Sequence, residues 1–222
     1  MLYLYNHQIF NKKLTEIYWK RFKRFGAIPE GSFWESENRQ QLRFKVILDE
    51  IDKIFSIASV GLADVGCGYG ALANYISENR IIEKYHYTGY DISSNLIAEC
   101  KSKITDKRFS FKVGSEPFSV THCTIMSGTY NLAMTRDLEL WEKYVLRCLI
   151  RCWQKTSKAM IFNLQVAANG WISKNNIYYA EKNRILELCL KHFGPTKLIC
   201  HPKLPKDVTF VVLNERLIDI EV

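Results

Sequence analysis

No apolar run in this chain of 222 residues approaches the roughly 18 residues of a membrane span. The opening stretch, MLYLYNHQIFNKK, is too polar for a secretion signal. There is no C-x-x-C pair, and the cysteine count is odd: Cys67, Cys100, Cys123, Cys148, Cys152, Cys189 and Cys200. That scatter indicates neither a disulfide framework nor a zinc site. A reduced, cytoplasmic setting is the corresponding expectation. Cys148 and Cys152 share a helical face, where core filling is expected. The chain also lacks internal repeats, low-complexity tracts and long linkers, so one domain with a sizeable core is expected. With 47% hydrophobic residues and 13% aromatics, that domain should be a folded globule.

The formal net charge is +8. Its sharpest cluster is Trp19-Lys20-Arg21-Phe22-Lys23-Arg24-Phe25. Aromatics interleaved with cations can stack bases and hold phosphates. Ile17, Phe22 and Phe25 equally fit an amphipathic helix with a basic solvated face, and that plainer reading is preferred. Nucleic acid is therefore an unfavoured partner.

Hydrophobic periodicity predicts helices over 8–25 and 36–57, with a break between Gly26 and Gly31. Strands are expected at 60–65, 86–91, 108–113, 121–127, 159–164, 196–201 and 207–213. Helices at 71–79, 94–104, 137–154 and 181–192 fall between them. This alternation implies an α/β fold, Rossmann-like and doubly wound, with a mostly parallel seven-stranded sheet. The last two strands follow each other without a helix, which suggests one antiparallel strand near the C-terminus. Residues 1–57 would form an N-terminal helical cap and 58–222 the core.

Residues 60–71, VGLADVGCGYGA, carry the most chemistry. Val60, Leu62 and Val65 end a buried strand, Asp64 sits beside its tip, and Gly66, Gly68 and Gly70 turn the chain into a helix. Glycines let the backbone turn tightly and approach a ligand, and the helix behind offers free N–H groups. Gly66, Gly68 and Ala71 satisfy a dinucleotide fingerprint. Asp64 favours another cofactor, because a carboxylate attracts a cationic sulfonium amino acid and repels a pyrophosphate. Asp91 ends the next strand, 21 residues after Gly70, where an acid can accept both hydroxyls of a ribose. A helix N-cap is the competing role for Asp91, and Ser93 or Ser94 could cap instead.

The pattern Asp64, Gly66, Gly68, Gly70 resembles motif I of the class I S-adenosylmethionine (SAM) dependent methyltransferases. The similarity runs from about Trp34 to Val212 and is to a little-characterised bacterial branch. It includes Ser36, Gln41, Arg43 and Phe44 upstream, Asp91, then Ser127, Gly128 and Asn131, Phe162-Asn163, and Tyr178-Tyr179-Ala180. The resemblance implies the antiparallel strand noted above and S-adenosyl-L-methionine as cofactor, with S-adenosyl-L-homocysteine (SAH) as product. It assigns cofactor contacts to Arg43, Asp64, Gly66, Cys67, Gly68, Gly70, Asp91, Ile92, Ser115, Glu116, Ser127 and Gly128. Relatives carry Gly-Asp after strand three, where this chain has Gly114-Ser115-Glu116, so Ser115 or Glu116 would contact adenine. A late Asp-Tyr is replaced around Cys200-His201-Pro202-Lys203, which points to a different pocket for the methyl acceptor.

Methyl transfer is an in-line displacement, and a base is needed only when the methyl acceptor must lose a proton. His201 is the expected base, with an ordinary strand-end histidine as the competing reading. Asn131 would orient the acceptor, with Tyr130 and Tyr179 as further substrate contacts. The expected reaction is methyl transfer to oxygen or nitrogen of a small molecule such as a sugar or secondary metabolite. RNA or protein methylation through the basic helix is the first alternative, although Asn/Asp-Pro-Pro-Tyr/Phe is missing. A non-catalytic nucleoside-binding protein is the second. An NAD-dependent dehydrogenase would need a hydride-transfer pair of acid and base, and nothing downstream supplies one.

Overall fold

A computed structural model describes residues 2–33, 36–56, 59–79 and 84–214. The predicted start of the resemblance at Trp34, and Ile57 at the end of the predicted second helix, lie outside them. Two helices come first, α1 (Leu2–Phe25) and α2 (Glu37–Ile54), separated by a short 3-10 turn at Pro29–Ser32. The order then runs β1 (Val60–Val65), α3 (Ala71–Glu78), β2 (Tyr85–Asp91), α4 (Ser94–Lys103), β3 (Phe109–Val113) and β4 (Thr121–Ser127). It continues through α5 (Leu138–Trp153), β5 (Thr156–Ala167), β6 (Trp171–Ile172), β7 (Tyr178–Glu181), α6 (Lys182–His192), β8 (Thr196–Cys200) and β9 (Asp207–Leu213).

Strand order across the main sheet is β3-β2-β1-β4-β5-β9-β8. The first five strands are parallel, and β9 enters antiparallel between β5 and β8. The seven strands and the single reversal are those expected from the sequence. Side-chain polarity dictates the layers. In β4, Cys123 and Ile125 point to one face, and Thr124 and Met126 to the other. The first face packs Phe44, Ile47 and Ile51 of α2, Leu72 and Ile76 of α3, and Ile97 of α4. The second carries α5, whose Trp141, Val145, Leu149 and Cys152 are buried, together with Phe10 and Leu14 of α1. Burying each large apolar side chain contributes roughly 1.5–3 kcal/mol, so both stripes hold their helices to the sheet.

Local chemistry sets the helix starts. The Ser36 side chain accepts from Arg39 N at 3.4 Å, Ser93 from Leu96 N at 3.4 Å, and Asp137 from Leu140 N at 3.0 Å. Several features differ from expectation. Helix α1 begins at Leu2 rather than residue 8, and β5 extends three residues before and three beyond the predicted 159–164. Its extension pairs with β7, which forms a small hairpin with β6. No helix among the described residues is long and apolar enough to cross a membrane.

Arg43 of α2 is buried and forms an ion pair with Asp207 at the start of β9. The expected contact to a cofactor carboxylate is therefore corrected: this guanidinium is committed to tying the helix to the sheet. Removing one member of a buried pair leaves the other charge uncompensated. Asp207→Asn should accordingly cost about 3–5 kcal/mol in urea-induced unfolding, with the Arg43→Met/Asp207→Leu double variant losing much less.

Candidate functional site

At the tip of β1 the chain turns through Gly66, Gly68 and Gly70, all with positive φ (80°, 58° and 85°). Such angles favour glycine. At Gly66 there is a second reason: a Cβ would lie 2.6 Å from Thr129 Cγ2. The turn is stitched to β2, since Gly66 N and Cys67 N both donate to Tyr90 O, at 2.7 and 3.0 Å. Asp91 completes the seam. Its Oδ2 accepts from Gly68 N at 3.0 Å and its Oδ1 from Ser93 N at 2.8 Å. Ser93 is the N-cap of α4, so the competing capping role is taken by its neighbour. A carboxylate has about four lone-pair positions, and two remain at Asp91 for the hydroxyls of a ribose.

The turn opens into a cleft of about 1000 Å³, the open solvent at its mouth included. Asp64, Gly66, Cys67, Gly68 and Asp91 form its floor with Ser127, Gly128, Thr129 and Tyr130 of the β4 tip. Thr129 Oγ1 donates to Val65 O at 2.8 Å and holds this second loop against the first. Leu14, Thr15 and Tyr18 of α1 form a roof, and Tyr144 and Cys148 of α5 a side wall. Ile92, Gly114 and Ser115 close the β2–β3 end, with Ser32, Gln40, Phe44, Tyr69 and Leu72 at the other flank.

Electrostatics favour a cation here. Asp64 is buried, and burial pushes its carboxyl up to about 7 even though the Tyr87 hydroxyl donates a hydrogen bond to its Oδ2 at 2.6 Å. Burial also raises Asp91, opposed by its backbone bonds from Ser93 and Gly68. No Lys, Arg or His belongs to the described lining. Two desolvated carboxylates without a protein cation suit a positively charged ligand such as a sulfonium amino acid. The Gly66 cradle and the spare lone pairs of Asp91 fit the nucleoside end of the same molecule.

Of the residues expected from the sequence, Asp64, Gly66, Cys67, Gly68, Asp91, Ile92, Ser115, Ser127, Gly128 and Tyr130 line the cleft. The others stand elsewhere. Gly70 is the N-cap of α3 and abuts Ile104 and Cys100 of the α4 region. Glu116 is paired with Arg151 of α5 instead of facing an adenine. Asn131 is a structural tie: its Oδ1 accepts from Gln165 N at 3.0 Å and its carbonyl from Tyr178 N at 2.8 Å. Tyr179 stacks on Trp171 in the β6–β7 hairpin, centroids 4.9 Å apart. His201 follows β8, three strands from β4, or about 14 Å at ordinary strand spacing. Its Nδ1 accepts from Lys203 N at 3.2 Å, so the expected base is corrected to a turn residue.

Several lining residues were not singled out. Tyr18, Thr15 and Leu14 follow helical i, i+3, i+4 spacing, but nothing local marks that face as a roof. Cys148, expected to fill core, has its buried thiol on the cleft wall, 3.7 Å from His7 Nε2.

Residues 62–158 match the family model described as a methyltransferase domain. Rv1506c of Mycobacterium tuberculosis, which carries a methyltransferase name, is 21% identical over 140 residues, covering 62% of this chain and 83% of that protein. Among solved structures, a SAM-dependent methyltransferase of Leishmania major superposes with TM-score 0.67 at 10% identity, covering 90% of this chain and 82% of its own. Magnesium protoporphyrin IX methyltransferase of Synechocystis PCC 6803, solved with SAH, gives TM-score 0.59 at 12% identity, covering 79% and 83%. At these identities the structural likeness is one of fold.

Two outcomes follow from the geometry. Gly66→Ala forces a side chain into a left-handed angle and against Thr129, so SAH affinity measured by calorimetry should fall about tenfold or more, with far-UV circular dichroism unchanged. For Asp64 the raised value means that the folded protein holds this proton from the ordinary carboxylate range up to about 7. The carboxylate's contribution to stability therefore falls as pH rises through that window. A cation binds the ionised form, so SAM affinity should rise between about pH 6 and pH 8, and Asp64→Asn should flatten that dependence.

Proposed function

We propose that this chain is a class I SAM-dependent methyltransferase and that it methylates oxygen or nitrogen of a small-molecule acceptor. The observation that carries the reading is the pairing of the glycine turn with Asp91 in the cleft beneath α1. The floor accounts for a cofactor, while the roof of Leu14, Thr15 and Tyr18 restricts what else can enter. In this reading residues 1–57 cap a core of 58–222, and the chain works in the cytoplasm on a sugar or secondary metabolite. The porphyrin named for the Synechocystis enzyme is one small acceptor handled on the same fold.

SAM supplies a methyl on a positive sulfur, open to in-line attack. The chain's own groups bind, orient and exclude water. Asp91 and the N–H groups of the glycine turn hold the nucleoside, and Asp64 provides negative charge beside the turn. Burial raises the phenols of Tyr18, Tyr130 and Tyr144, so they remain protonated and are not bases; Tyr130 donates to Met126 Sδ and Tyr144 to Asn11 Oδ1 within the protein. Catalysis then rests chiefly on alignment, which can supply up to about 7–11 kcal/mol.

Methylation of RNA or protein draws on Lys20, Lys23 and Arg24, which are exposed on α1. The aromatics beside them are spent inside the fold: Trp19 stacks on Phe22, and Phe25 takes the guanidinium groups of Arg21 and Arg24. They offer little for base stacking.

Calorimetry with SAM and SAH tests the cofactor half. Micromolar binding is expected, and Asp91→Ala should weaken it roughly 10- to 100-fold, the worth of charged hydrogen bonds lost at a ribose. Transfer of a labelled methyl group across a panel of small hydroxyl and amino compounds tests the rest. Binding without turnover on any of them would favour a nucleoside-binding protein instead.

A further inference from the structure

The strand tips carry a polar row that the cofactor reading uses only in part. Asp64 pairs with Gly89 of β2 and Ile125 of β4, so Asp91 and Ser127 lie two residues further along, at one level. Ser127 in turn pairs with Asn163 of β5. Paired residues share a face, with Cβ atoms about 5 Å apart. Asn163 is 1% exposed. Its Oδ1 accepts from Gly128 N at 2.7 Å, which fixes Nδ2 as the free end of the amide. That Nδ2 and the Oγ of Ser127 are both buried without a hydrogen-bond partner. Leaving such groups unpaired is costly, and two neighbouring cases, Ser127 on the cleft lining and Asn163 bonded to Gly128 of that lining, point to a ligand.

Position selects the ligand. With the ribose at Asp91 on β2 and Gly114 and Ser115 beyond β3, the cofactor's nucleoside lies over β2 and β3. Its sulfur end then points across β1 toward β4. Asn163 lies one strand further, three spacings or about 14 Å from Asp91. We propose that Asn163 Nδ2 and Ser127 Oγ form the recognition site for a neutral oxygen, hydroxyl or carbonyl, of the methyl acceptor. Both groups can donate to such an oxygen, and Ser127 can also accept from a hydroxyl. A phosphate is disfavoured, because the buried guanidinium on that face, Arg43, is bound to Asp207, and Lys197 beyond it pairs with Glu50. Asn163 is thus a specificity-determining residue. The inference rests on the methyltransferase reading.

A crystal structure of the full chain with SAH, together with an SAH titration of Asn163→Asp, tests it. Asn163→Asp retains the oxygen that holds Gly128 N and replaces the donor with a carboxyl oxygen. The expected result is that this variant binds SAH within about twofold of wild type, since it loses no cofactor contact worth tenfold. In the complex, Nδ2 and Oγ should face the sulfur and bond ordered water rather than SAH. Either atom bonded to the methionyl group of SAH, or to the protein, would overturn the assignment, as would a tenfold loss of SAH affinity in Asn163→Asp. Failure of wild type to bind SAH would instead remove the methyltransferase reading, and this proposal with it.

Discussion

The Asp91 carboxylate is the fastening on which the rest of the site depends. One oxygen takes the N–H of Gly68 from the turn after β1, and the other takes Ser93 N at the start of α4. Two strands, a loop and a helix start are thereby held in one geometry by a single side chain. Tyr90 O, the preceding residue's carbonyl, adds two further bonds to the same turn. Backbone donors in the turn are thus partly satisfied within the protein, while the acid keeps unused lone pairs directed outward.

Burial gives this arrangement its selectivity. Asp64 and Asp91 sit in a cleft roofed by α1, and desolvation raises both. A ligand that brings a positive charge relieves a cost the protein already bears, whereas a polyphosphate would add to it. The roof depends on packing far from the cleft: Phe10 and Leu14 of α1 lodge against Trp141 and Tyr144 of α5. On the opposite face, α2 is tied down by Arg43 and Asp207. Each wall of the site is therefore held by contacts that carry no chemistry themselves.

What was legible in the sequence was local. The glycine turn, Asp64 and Asp91 could be read because their spacing alone places them at adjacent strand tips, and the strands from 60 to 127 came within one residue of expectation. Misread residues had distant partners. Arg43 meets Asp207, 164 residues away; Glu116 meets Arg151 of α5; and His201 stands past two strands whose order across the sheet is set by tertiary pairing. The β6–β7 hairpin escaped notice because two- and four-residue strands show no periodicity, and Tyr178 and Tyr179 read as the approach to a helix. Tyr18 and Cys148 were invisible as wall residues because a roof exists only once two helices have packed.

Hydrogen–deuterium exchange with and without SAH tests the central claim most directly, because it reports where binding orders the backbone. The account predicts slowed exchange in peptides covering 64–70, 91–93, 114–115 and 127–130, with α1 around Tyr18 following. Protection confined to other parts of the chain, or none at saturating SAH, would contradict it.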